Sequence, residues 1–115
     1  MFYDLLVHVD LPDEQRFALA LTNIENYLLG LPGEDFTVVV LANAAAVRFL
    51  TREGNPQADG VRALAAKGVH FRACNNALKK FEIEHSQLLH CVTVVPTGLA
   101  EVVRLQREGY AYIKP

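Results

Sequence analysis

The segment FTVVVL at residues 36–41 limits the possible folds of this chain more than any other stretch. Valine dominates it, and apolar side chains would occupy both faces of an extended strand. A strand that is apolar on both faces is typical of a parallel sheet covered by helices on its two sides. The segment therefore predicts a central, buried strand of an α/β fold.

Segments with strand-like and helix-like patterns alternate on both sides of this strand. An amphipathic helix is predicted to begin near Asp13, and Asn43 is the expected N-cap of a short helix at residues 44–50. Strands that alternate with helices imply right-handed βαβ connections. We therefore expect a five-stranded parallel sheet with helices on both faces, the strands lying at residues 3–9, 36–41, 69–73, 91–95 and 110–113.

Length and charge exclude several classes of protein. The 115 residues fit a single domain spanning 1–115, and a formal net charge of -2 with scattered basic residues argues against nucleic-acid binding. The N-terminal stretch MFYDLLVHVD lacks a basic region and contains two aspartates, so neither a signal peptide nor a membrane span is expected. Cys74 and Cys91 occur in no disulfide-rich or C-x-x-C pattern, which indicates reduced thiols in the cytoplasm.

Polar or reactive residues follow four of the predicted strands. In parallel α/β sheets, ligands bind beyond the carboxyl ends of the strands, where loops and helix N-termini meet. These positions are occupied by Asp10, Asn43, Cys74 and residues 96–98. We expect the functional site at this edge of the sheet.

Cys74 lies within FRACNNAL, at the junction between a predicted strand and a helix. The unpaired N–H groups at a helix N-terminus stabilise a thiolate relative to a thiol. Asn75 and Asn76 could donate hydrogen bonds to a bound sulfur or anion, and Arg72 could add positive charge if it points the same way. The alternative is a small, inert, buried side chain, and the residues alone leave both interpretations open.

His8 and Asp10 are two residues apart at the end of the first strand, so both side chains could project to one side. Imidazole is a common general base near neutral pH, which makes His8 a candidate for that role. The alternative is a hydrogen-bonded histidine with a structural role. Neither interpretation is excluded by the residues alone.

Several kinds of site are absent from the sequence. There is no G-x-G-x-x-G or P-loop motif for a nucleotide, and no histidines and cysteines at metal-ligand spacing. A phosphatase loop would need arginine where Lys80 stands, and thioredoxin chemistry would need cysteine at Ala77. We therefore expect no cofactor and no metal site.

The chain resembles the DsrE/DsrF-like family nearly end to end. The shared stretches are HVD at 8–10, LTNIENYL at 21–28, KGVHFRACNNAL at 67–78 and VVPTGLAEVVRLQREGYAYI at 94–113. The resemblance implies a three-layer α/β/α sandwich around a five-stranded parallel sheet, assembled into homotrimers or hexamers or into related hetero-oligomers. It also implies that Cys74 carries sulfur as a persulfide between sulfur-donor and sulfur-acceptor proteins, in sulfur relay or intracellular sulfur oxidation.

One loop departs from the family pattern. After the second strand the family often has an Asn-Gly-Pro-like loop, whereas this chain has Asn43-Ala44-Ala45. Since glycine allows close approach of backbone to ligand, we expect the site to differ here.

Two functions are predicted. The first is a cytoplasmic sulfur carrier with Cys74 and His8 as catalytic residues and with ligand-binding side chains at Asp10, Asn43, Asn75 and Asn76. The second is a non-catalytic, oligomeric binding module for a small ligand or a protein partner. Self-association is also suggested by apolar residues that a short chain would struggle to cover, namely Leu99, Val102, Val103 and the YAY stretch near the C-terminus.

Overall fold

Five parallel strands form one sheet in the computed structural model, which describes all residues from Met1 to Pro115. The sheet order is β4-β3-β2-β1-β5. The strand predicted to be central is β2, and every one of its residues is buried. The predicted five-stranded parallel sheet is therefore confirmed, with strands β1 (Leu5–Val9), β2 (Val38–Ala42), β3 (His70–Cys74), β4 (Val92–Val95) and β5 (Ala111–Ile113).

Helical segments connect the strands. The first begins after Asp13, whose side-chain oxygen accepts a hydrogen bond from the backbone N–H of Arg16 at 3.0 Å and so caps the helix. None of the helices combines the length and the apolar character that crossing a bilayer requires. The α-helices are α1 (Glu14–Leu29), α2 (Ala58–Ala66), α3 (Asn75–Lys80) and α4 (Gly98–Arg107), and 3-10 helices occupy Ala44–Leu50 and His85–Gln87.

The two faces of the sheet are covered differently. One face, called here the α1 face, packs against α1, α2, α3 and the 3-10 helix Ala44–Leu50 in a cluster of 25 buried residues. The other, called the α4 face, is covered by α4 alone. Its buried apolar cluster has five residues: Leu6, Val39, Leu41, Val102 and Leu105.

The predicted capping role of Asn43 is wrong in one respect. Asn43 does occupy the N-cap position of the 3-10 helix, but its side chain makes no capping hydrogen bond. Its side-chain oxygen instead contacts His8, on the neighbouring strand. A tertiary contact has replaced the local one.

Candidate functional site

The carboxyl ends of β2 and β3 bring Asn43 and Cys74 side by side. In the parallel register Ala42 of β2 is opposite Ala73 of β3. Asn43 and Cys74 are the residues that directly follow them. Val9 is opposite Ala42 in the same way, so Asp10 continues this row on β1. The edge predicted from the sequence therefore exists as a continuous row of residues.

The start of α4 packs directly against this row. A Cβ atom built on Gly98 would lie 3.1 Å from Cβ of Cys74 and 3.2 Å from Cβ of Asn43. Glycine thus permits a close approach that a larger residue would obstruct. The Thr97 side chain makes no capping hydrogen bond, so it leaves the N–H groups of the first turn of α4 uncapped near Cys74.

Cys74 is a free cysteine in the N-cap position of α3, and only 5% of its surface is exposed. Its neighbours are the apolar cluster of the α1 face and Gly98 of α4. The side chain makes no capping hydrogen bond. The thiol therefore lies near two helix N-termini but is almost covered within the single chain.

His8 is held by two side chains from different strands. Its Nε2 lies 2.8 Å from Oδ1 of Asn43, and its Nδ1 lies 2.7 Å from the hydroxyl of Tyr112 on β5. His8 is itself buried on the α4 face, at 7% exposure. Both ring nitrogens are occupied, so His8 contacts the Cys74 neighbourhood through Asn43.

The remaining predicted residues have other partners. Asp10 forms an ion pair with Lys114 at 3.1 Å, and Oδ1 of Asn75 accepts a hydrogen bond from Nε2 of His85 at 2.8 Å. Asn76 is exposed to solvent. The structure thus brings His8, Asn43 and Cys74 together and leaves Asp10, Asn75 and Asn76 outside that group.

Arg72 does not point its charge at Cys74. Its guanidinium lies 2.8 Å from Glu101 on α4, and Arg104 lies 2.7 Å from the other carboxylate oxygen. Hydrogen bonds from Arg104 and then Arg72 lower the pKa of Glu101 below its ordinary value of 4.5, against the opposing effect of burial. This pairing fastens α4 to β3 and so supports the position of Gly98.

The loop after β2 contains an unusual backbone conformation. Ala44 has φ of 50°, in the left-handed region that glycine adopts without cost. Alanine thus holds a conformation suited to the glycine of the family pattern. The conformation of Ala44 places local strain beside Asn43.

A large groove lies away from this row. It has a volume of about 900 Å³ and runs between α1 and the β1–β5 edge of the sheet. None of His8, Asn43 and Cys74 lines it, and its apolar walls include Leu5, Val7, Leu19, Ile24 and Ile113. Because neither cysteine nor histidine lines the groove, we place the candidate site at the strand ends and not here.

No cluster of three or more histidine, cysteine or acidic side chains is arranged to hold a metal ion. The second cysteine, Cys91, is half-buried just before β4, and burial raises the pKa of its thiol. A raised pKa reduces the thiolate population at neutral pH. Burial therefore disfavours the thiolate form of Cys91.

Tyr112 was not predicted as a site residue, and Gly98 was predicted only as part of residues 96–98 at this edge of the sheet. Both lie within VVPTGLAEVVRLQREGYAYI, one of the stretches on which the family resemblance rests. That stretch marks them as candidates, but their contacts with residues far away in the chain cannot be read from it. The tertiary structure supplies those partners.

Comparison with known proteins finds a family model and several solved structures that match this chain. The model of the DsrE/DsrF-like family matches residues 13–115. Among solved structures, a protein of unknown function from Methanobacterium thermoautotrophicum is 35% identical, with a TM-score of 0.92, and the alignment covers 98% of this chain and 99% of that one. No curated protein matches.

Proposed function

This chain belongs to the DsrE/DsrF-like family, and from that premise we propose that it is a cytoplasmic sulfur carrier holding a persulfide on Cys74. Family membership suggests sulfur relay. The observation that carries the proposal is the placement of Cys74 at the carboxyl end of β3, between Asn43 and the start of α4. Helix N-termini and amide N–H groups favour an anionic sulfur at such a position.

The transfer is an exchange at sulfur and needs no oxidant or reductant. The Cys74 thiolate attacks the terminal sulfur of a donor persulfide, the S–S bond of the donor breaks, and the donor leaves as a thiolate. Cys74 then carries the S–SH group. An acceptor thiolate attacks that terminal sulfur in turn, which forms the acceptor persulfide and returns Cys74 to the thiolate.

In this proposal the polar neighbours hold the sulfur and do not react with it. His8 orients Asn43, because the His8 Nε2 is already engaged by the Asn43 side chain at 2.8 Å. Asn43 then donates to the terminal sulfur. Asn75, Asn76 and Asp10 are proposed to contact donor or acceptor groups, for which Asn75 and Asp10 would exchange their present partners His85 and Lys114.

Access to Cys74 requires a movement. With 5% of the residue exposed, a donor persulfide reaches the sulfur only when the segment carrying Gly98 shifts away from Cys74 and Asn43. That segment joins β4 to α4 and has no side-chain cap of its own. The proposal therefore includes opening at the start of α4.

The direct test is sulfur uptake by variants of the two cysteines. Native protein is incubated with a small-molecule persulfide and weighed by intact mass spectrometry. Wild type and Cys91→Ser should gain one sulfur atom per chain, and Cys74→Ser should gain none. Equal uptake by the two variants would refute the assignment.

We further propose that the chain self-associates as a homotrimer or hexamer and that separate donor and acceptor proteins supply and remove the sulfur. The supporting observation is that Leu99 and Val103 on α4 are 65% and 50% exposed. Aliphatic side chains on one helix face, open to this extent, favour contact with another copy.

A second candidate is a binding module without chemistry, and the burial of Cys74 favours it. In that case Cys74 is a packing residue, and the apolar groove beside α1 is available to a ligand. A genetic complementation assay with Cys74→Ser separates the two. Full activity would support the binding module, whereas lost activity with unchanged assembly mass and melting temperature would support sulfur transfer.

A further inference from the structure

The first turn of α4, residues 98–101, buries only one side chain. Its two middle residues are exposed to solvent, and its first is a glycine without a side chain. Glu101 supplies the buried one. The buried apolar side chains of α4 come after this turn, at Val102 and Leu105. The first turn therefore has no apolar side chain of its own to hold it against the sheet.

Glu101 connects this turn to β3. Its Oε2 accepts a hydrogen bond from Arg72 on β3 at 2.8 Å, and its Oε1 accepts one from Arg104 at 2.7 Å. The bond from Arg72 joins two elements, whereas Arg104 lies one turn along the same helix. The side chains of Arg72 and Glu101 are 20% and 10% exposed, so water and salt screen this pair less than a surface pair.

Arg72 and Glu101 both lie next to the contact between Gly98 and Cys74. Arg72 is two residues before Cys74 on β3, and side chains two apart on a strand project to the same face. Glu101 is three residues after Gly98, so both face the sheet from the same side of α4. The ion pair and the close approach of Gly98 to Cys74 are thus neighbouring attachments of one helical turn to one strand.

We infer that the Arg72–Glu101 ion pair is a latch that keeps the start of α4 closed over the Cys74 thiol. With the latch closed, Cys74 is almost fully buried. When the pair separates, no buried apolar side chain holds the first turn in place, and it moves away from Cys74. The later turns stay docked through Val102 and Leu105, so the opening is local.

The latch rests on the proposed function for its purpose, because it regulates access to the sulfur-carrying thiol. It keeps that thiol, or a persulfide on it, covered until the first turn of α4 is released. Access to a thiol can be measured with a reagent that transfers no sulfur. The latch and the proposed function can therefore fail independently of each other.

The test measures alkylation of Cys74 by iodoacetamide, a small uncharged reagent. The parent protein is Cys91→Ser, in which Cys74 is the sole thiol, and intact mass spectrometry follows the reaction under native conditions. Glu101→Gln and Arg72→Gln, called here the latch variants, should each react about 10-fold faster or more, since opening no longer breaks a charged hydrogen bond. Arg104→Gln removes only the partner on the same helix and should react at close to the parent rate.

The two latch variants distinguish access from electrostatics. Replacing Glu101 removes a negative charge near the thiol and favours the thiolate, whereas replacing Arg72 removes a positive charge and disfavours it. An electrostatic effect alone would therefore speed alkylation in Glu101→Gln and slow it in Arg72→Gln, which would overturn the latch. Opening of α4 predicts acceleration in both.

Ile24→Ala controls for global unfolding. Ile24 is almost fully buried in the second half of α1 and lines the groove that lies away from Cys74. Its truncation should destabilise the fold at least as much as either latch variant. Cys74 in Ile24→Ala should nevertheless react at the parent rate. Acceleration matching that of the latch variants would show exposure by global unfolding and would overturn the latch.

Two further outcomes would overturn the latch: parent-like alkylation in both latch variants, and equal acceleration in Arg104→Gln. Melting temperatures above the reaction temperature verify that every variant is folded during the measurement. Absence of sulfur uptake at Cys74 in wild type would instead refute the proposed function. The alkylation rates would then still decide whether the Arg72–Glu101 pair controls access to the thiol.

Discussion

The two faces of the sheet differ in the size of their apolar clusters and in the polar contacts they contain. On the α1 face, 25 buried residues from β-strands and four helical segments form a continuous apolar core. On the α4 face only five residues form the buried apolar cluster, and polar contacts such as His8 with Asn43 and Arg72 with Glu101 lie beside it. The difference indicates that the α1 face supplies most of the stability, whereas the α4 face carries the candidate site.

Buried polar groups are tolerated on the α4 face because each has a partner. No buried side-chain nitrogen or oxygen lacks a hydrogen bond. His8 and Glu101 each interact with two other side chains. Since an unpaired buried polar group costs about 1–3 kcal/mol, these networks are a condition for placing polar chemistry beneath α4.

The largest effects should come from matched cavities on the two faces. Leu50→Ala on the α1 face and Leu105→Ala on the α4 face remove almost fully buried side chains, and such changes cost about 2–5 kcal/mol. We expect Leu50→Ala to lose more unfolding free energy than Leu105→Ala, because the apolar cluster around Leu50 is larger. Urea denaturation measures both, and a greater loss at Leu105 would contradict the proposed division between the faces.

The next largest effect concerns the Glu101 network. Glu101→Gln weakens the hydrogen bonds from Arg72 and Arg104 and should destabilise the fold by about 1.5–3 kcal/mol at neutral pH. Glu108→Gln is the matched control, because Glu108 is half-exposed and contacts only Arg104. The unfolding free energy of Glu108→Gln should be lower than that of wild type by less than about 1 kcal/mol.

This network also predicts the direction of a pH effect. Because the pKa of Glu101 in the folded state lies below its ordinary value of 4.5, its stabilisation is complete above that pH. It is lost as the pH falls through the lower, folded-state pKa. The acid-induced decrease in unfolding free energy should be shallower in Glu101→Gln than in Glu108→Gln, and parallel curves would contradict the prediction.

A smaller effect, of opposite sign, is expected beside the site. Ala44→Gly removes the strain of φ at 50° and should stabilise the fold by about 1 kcal/mol. Ala45→Gly, at the next residue of the same 3-10 helix, lacks that strain and should destabilise it by about 0.5–1 kcal/mol. Thermal unfolding distinguishes the two, and a destabilised Ala44→Gly would show that the loop is unstrained.

The smallest effect on folding should occur at the exposed surface of α4. Replacing Leu99 and Val103 together by serine should change the unfolding free energy by less than about 1 kcal/mol, because both are exposed. The same change should weaken self-association. Sedimentation of wild type as a 12.8 kDa species alone, at micromolar concentration, would count against the assembly.

Much of the fold was predictable because its signals are local. Valine-rich residues 36–41 indicated β2, and apolar residues at helical spacing after Asp13 indicated α1. The observed strand boundaries differ from the predicted ones by one or two residues, since a strand ends where its hydrogen-bonded pairing ends. The family resemblance was confirmed by the match over residues 13–115.

The site was only partly predictable. The row of Asp10, Asn43 and Cys74 followed from the rule that parallel strands end at one edge. Whether those side chains interact did not follow, and Asp10 instead pairs with Lys114. A side chain near a strand end has several possible partners, and packing selects among them.

The sequence by itself determined the alternation of strands and helices, because hydrophobic periodicity and β-branched residues act over a few neighbouring positions. Only the tertiary structure decided which polar groups meet. Tyr112 and His8 are 104 positions apart in the chain, and His8 and Asn43 are 35 apart. Such contacts depend on strand order and on the placement of α4, both of which arise from packing the whole chain.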